Sequence, residues 1–92
     1  MQLYIVTYDI PCDKRRKKIA DVLEGYGQRV QLSVFECVLT QPKYQQLKRH
    51  LEKFVKLEED SVRFYPLSGH TLSQVEIWGG VPLTQPPDSK II

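Results

Sequence analysis

Asp9 closes the apolar run LYIVTYD, and residues 14–18, KRRKK, follow it after one short break. A carboxylate at the end of a buried strand has two readings. It can cap the turn that follows, or it can offer hard oxygen to a cation such as Mg²⁺, which takes one or two carboxylates with water and phosphate oxygens. One aspartate per chain is a poor metal site. Two copies of Asp9 facing each other across a two-fold axis would make a two-carboxylate site between protomers. The basic run beyond has two readings as well, a solvated helix face or a local attractor for phosphates.

Other candidates for chemistry are weaker. His50 and His70 have no patterned partner, and Ser33 could act as a nucleophile only beside a base that the sequence does not supply. There is no phosphate-binding glycine loop, no dinucleotide fingerprint and no HExxH. Cys12 and Cys37 are too few and too widely spaced for a metal-ligand pattern, and are expected as thiols. Net charge is only +2, so the clustering of residues 14–18, rather than the total, is what suggests a polyanion. The acids are spread out apart from Glu58, Glu59 and Asp60.

Ninety-two residues, 41% of them hydrophobic, allow one domain with one core. No run approaches the roughly 20 apolar residues of a membrane span. With no signal peptide visible, a cytoplasmic protein without membrane contact is expected.

The elements that must position Asp9 can be read from periodicity. LYIVTYDI places Leu3, Ile5 and Thr7 on one face and Tyr4, Val6 and Tyr8 on the other, as in a central strand covered on both sides. Pro11 cannot donate to a ladder, so the strand should end near Asp9 or Ile10. Asp13 is expected to cap a helix whose apolar stripe is Ile19, Val22, Leu23 and Tyr26, with Gly27 as a left-handed stop. Positive residues in its first turns oppose the helix dipole, a local cost that suggests a partner. Residues 30–39 form one bent strand or two short ones broken near residues 31–33. Thr40 or Gln41 with Pro42 opens a second helix carrying Tyr44, Leu47, Leu51, Phe54 and Val55. VRFYPL is a further strand, and VEIW, residues 75–78, is an extra one with no place in a four-stranded sheet, free to pair with a neighbouring chain. The fold expected is an α+β ferredoxin-like βαββαβ sandwich over residues 1–78, followed by a Pro/Gly-rich flexible tail over 79–92.

Three segments in register, YDI, KRRKKIADVLEGYG and RVQLSVFECVL, resemble the CRISPR-associated protein 2 family, the small subunits of the CRISPR spacer-acquisition machinery. The resemblance implies a homodimer in which each last strand joins the other protomer's sheet. It also implies a Mg²⁺ or Mn²⁺ site at the interface that uses Asp9 from both chains, with Tyr8 beside it as a catalytic position. Arg16 and Lys18 match the family's basic positions on the first helix, Arg29 the one entering the second strand, and Ser33 and Phe35 its SVF segment, all expected to bind nucleic acid. Members are described as metal-dependent endonucleases on single-stranded RNA or duplex DNA. They are also described as scaffolds for CRISPR-associated protein 1, the integrase that inserts captured foreign DNA as spacers. The alternatives are a toxin-like ribonuclease of the VapD type and a non-catalytic nucleic-acid-binding module of the same fold.

Overall fold

The computed structural model describes residues 1–86 and carries the expected α+β sandwich. Four strands, β1 (Gln2–Asp9), β2 (Gln28–Gln31), β3 (Val34–Leu39) and β4 (Ser61–Leu67), form one antiparallel sheet in the order β2-β3-β1-β4. Helices α1 (Asp13–Glu24) and α2 (Gln41–Glu52) pack on one face, and a single turn, α3 (Gly69–Leu72), follows β4.

Alternation in β1 sends Tyr4, Val6 and Tyr8 into the core with Phe35, Cys37 and Leu39 of β3, where Ile19 and Leu23 of α1 and Leu47 and Leu51 of α2 close over them. Tyr4 stacks on Tyr44 of α2 with ring centroids 3.8 Å apart. Burial pushes the Cys37 thiol up to about 12, so it remains a protonated packing group. The other face carries Leu3, Ile5 and Thr7, and it is covered only in part: Leu3 is buried, but Ile5 and Thr7 are only half-buried. Cover on both sides of β1 is therefore incomplete in the single chain.

Residues 30–39 resolve into the two-strand alternative, a hairpin turning at Leu32 and Ser33 with Gln31 opposite Val34. Pro66 lies within β4, which is tolerated because β4 is an edge strand. Thr40 caps α2, its hydroxyl accepting from the Lys43 N–H.

Two local expectations are corrected. The residue capping α1 is Cys12, and Asp13 is the first helical residue, its carboxylate paired with Arg16. The helix stops at Gly25 in right-handed conformation, and Gly27 has no positive φ. Glycine is needed at 27 for closeness instead: a Cβ there would sit 2.9 Å from the Cys37 Cα and closer still to the Glu36 carbonyl oxygen. As expected, VEIW has no place in the four-stranded sheet: it pairs with no strand among the described residues, and Trp78 is 91% exposed.

Of the expected tail, residues 87–92 lie outside the described residues. Before them, Thr84 is fastened to β3, both its N–H (3.0 Å) and its hydroxyl (2.9 Å) donating to the Glu36 carboxylate. Gly27→Ala should destabilise the fold by roughly 1–3 kcal/mol through this close approach of β3 to the end of α1, read as a lower midpoint in urea. An unchanged midpoint would show that β3 can withdraw freely.

Candidate functional site

The site is built at the C-terminal end of β1. Asp9 ends the strand opposite Ser61 of β4, and its side chain is exposed, with no hydrogen bond or ion pair among the described residues. Tyr8 points the other way, into the core; its hydroxyl donates to the Leu32 carbonyl at 3.4 Å, and its N–H donates to the Ser33 carbonyl at 3.1 Å. The β2–β3 turn is thereby tied to the strand end, and Ser33 contributes through its backbone.

Two arginines of α1 fix the geometry beyond Asp9. Arg16 donates from Nη1 to the Ile10 carbonyl at 2.9 Å and pairs with Asp13, so the expected nucleic-acid contact is already holding the break between strand and helix. Arg15, which the sequence did not single out, grips the start of β4. Its guanidinium forks onto Asp60 with two bonds of 2.9 Å and reaches Glu59 at 3.0 Å. The Asp60 side chain is 0% exposed and also accepts the Lys56 N–H at 2.9 Å. A buried carboxylate persists only with such partners. The Arg15 guanidinium beside it, then the Lys56 backbone N–H, hold its carboxyl below the usual range. Asp60 immediately precedes Ser61, the register partner of Asp9, so this clamp joins the first turn of α1 to the strand flanking Asp9. The EED charges were visible in the sequence, but a partner 45 residues away was not.

The remaining expected contacts lie apart. Phe35 is 0% exposed and packs 6.3 Å from the Tyr8 ring, so it cannot stack on a base; it serves as the platform for Arg29, whose guanidinium lies 5.3 Å from the Phe35 ring centroid. Lys18 Nζ lies 5.4 Å from the Phe54 ring, on the seam between α1 and the end of α2. Cys12 is partly exposed, and the Arg15 backbone N–H lowers its thiol pKa.

Among the described residues no group of three potential ligands converges. At the end of β1 one chain offers a hard cation a single free carboxylate, that of Asp9.

Comparison with known proteins decides the family. The family described as CRISPR associated protein Cas2 matches residues 1–75. The chain belongs to it. A Synechocystis sp. relative named CRISPR-associated endoribonuclease Cas2 3 is 64% identical over 92 residues, all of both chains. A Thermus thermophilus relative named CRISPR-associated endonuclease Cas2 2 is 46% identical over 84 residues, 91% of this chain and 89% of that protein. A chain in a solved partial Cas6-RT-Cas1–Cas2 complex superposes with a TM-score of 0.79 at 33% identity, covering 100% of both.

The clamp makes a pH prediction for this Cas2 chain. Because the folded Asp60 pKa is depressed, its contribution to stability is fully present above the unfolded value of about 3.9 and is lost as pH falls through the folded value. Thermal melts should show Arg15→Ala well below the parent at pH 7, with the gap narrowing from about pH 4 downward. For a domain of this size each kcal/mol moves Tm by about 4–8 °C. A gap of the same size at pH 3 would show that Asp60 is not the group Arg15 serves.

Proposed function

We propose that this chain is a CRISPR adaptation protein, a homodimeric metal-dependent endonuclease that works with the Cas1 integrase in capturing foreign DNA and integrating it as spacers. The observation that carries the reading is the free, exposed Asp9 carboxylate at the end of the central strand of a Cas2 chain, beside a clamped basic helix. The names of the relatives support nuclease chemistry on RNA or DNA, and the assembled relative supports a Cas1 partner. Support for the homodimer comes from the open sheet face and from VEIW, whose exposed Val75, Ile77 and Trp78 are available to join a second copy's sheet.

In this reading Asp9 of each protomer holds a shared Mg²⁺ or Mn²⁺. Such an ion, when bound, neutralises charge on a phosphodiester and makes a water acidic enough to attack it. The chain's own residues do the rest. Tyr8 locks the β2–β3 turn against the strand end, and Arg16 holds the Ile10 carbonyl so that Asp9 keeps its direction. Arg29 and Lys18, each seated on a ring, hold phosphates without reading bases.

Asp9→Asn should abolish Mg²⁺- or Mn²⁺-dependent cleavage of a labelled single-stranded RNA or DNA duplex while leaving the circular dichroism spectrum unchanged. Full cleavage by the variant would refute the site. If the variant still supports spacer acquisition in cells, the scaffold is the working role; if acquisition also fails, cleavage belongs to the pathway.

A further inference from the structure

Asp9 is not the sole charge that the strands turn to the face away from the helices. Side chains directly opposite each other in an antiparallel pair share a face, so Ser61, Arg63 and Tyr65 of β4 stand beside Asp9, Thr7 and Ile5 of β1. The four strands carry two basic residues, Arg29 and Arg63. Arg29 lies over Phe35, a core residue; Arg63 is the one on the Asp9 face. It is the diagonal neighbour of Asp9, roughly 7–8 Å away from backbone to backbone, a gap that a long side chain spans. Among the described residues its guanidinium has one partner, the Tyr65 hydroxyl, which accepts from Nη1 at 3.0 Å, and no carboxylate. The other acid that the strands put on this face, Glu36, stands across β1 from Arg63 and is already taken by Thr84. An uncompensated cation and an uncompensated anion thus sit side by side on the face proposed to meet a second copy.

We propose that Arg63 is the counter-ion of the paired Asp9 carboxylates when no metal is bound, and that it yields them when a metal arrives. The proposal rests on the shared Asp9 site proposed above. Two carboxylates brought together across an axis repel each other unless an opposite charge lies near. Covering the face with a second copy also takes these charges out of water, where an unpaired one is costly. Two chains bring two carboxylates and two guanidinium groups, so the metal-free face is balanced. A divalent cation then approaches against positive charge and competes with Arg63 for the same oxygens. The Tyr65 hydroxyl keeps the guanidinium on the face once it has given the carboxylates up. Arg63 is in this sense a positioning residue: it holds the metal-free pair together and sets how tightly Asp9 takes an ion.

Arg63→Gln in the full chain tests this by two readouts that need no substrate. In EDTA, sedimentation equilibrium should show the variant dimer dissociating about three- to tenfold more readily than the parent. With the chain held well above that dissociation constant, Mn²⁺ titration followed by electron paramagnetic resonance should show the ion bound about three- to tenfold more tightly, because a like charge has gone. Arg63→Lys keeps the charge and should keep both parental values. Lys43→Gln removes the same charge from α2, in the helix layer, and should change neither. If either readout stays parental in Arg63→Gln, if Mn²⁺ binds more weakly, or if Arg63→Lys moves as far, Arg63 is not the counter-ion. Equal tightening in Lys43→Gln would assign the effect to net charge and overturn the proposal too. Binding lost in Asp9→Asn but not tightened in Arg63→Gln refutes the counter-ion alone. Mn²⁺ binding that persists in Asp9→Asn, or a parent that sediments as a monomer, refutes the shared site itself and the counter-ion with it.

Discussion

β1 keeps its place because both of its edges are taken. β3 pairs along one side from Gln2 to Thr7 and β4 along the other from Leu3 to Asp9, so every residue between is held by a ladder on at least one side. The last position of that doubly supported strand is Asp9. What lies beyond it is held as tightly: Arg16 takes the Ile10 carbonyl, the Cys12 carbonyl accepts the Arg16 N–H at 2.9 Å, and Arg15 bonds α1 to the residue before Ser61. If Asp9 meets its copy across an axis, as proposed, it needs this stiffness. An error in its direction would be doubled by symmetry.

The basic run divides its labour between structure and surface. Arginine occupies the two positions where a planar fork is used, at the buried Asp60 and at the Ile10 carbonyl, and lysine occupies the exposed ones. Energetics follow the same division. Removing one member of the buried Arg15–Asp60 pair strands a charge away from water, whereas the exposed Lys17–Asp21 pair contributes little to stability. The first turn of α1 tolerates so many cations because some of them are neutralised by specific acids and carbonyls.

Much of this was legible in the sequence. Period-two alternation marked β1, and the stripes through Ile19 and Leu23 and through Leu47 and Leu51 marked the helices. Pro11 placed the end of that strand near Asp9 or Ile10. What was not legible depended on distance in the chain or on the path of the backbone. Gly27 looks like a helix stop by composition, but its reason is the approach of β3, which is visible only once the sheet exists. Phe35 sits in a segment expected to meet nucleic acid, yet β3 turns it inward under Arg29, because the same alternation that buries Cys37 must bury Phe35. The Arg15–Asp60 and Thr84–Glu36 contacts join residues 45 and 48 apart, and no local pattern announces either.

Under the proposed function, Asp9 is the free carboxylate that each chain brings to the strand end, and a hard cation there would be shared between two chains. Counting bound Mn²⁺ measures this directly, by titrating the chain at known concentration and following the free ion by its electron paramagnetic resonance signal. One ion per two chains, abolished in Asp9→Asn, is the result expected. One ion per chain, or half-stoichiometric binding that persists in Asp9→Asn, would contradict the shared site.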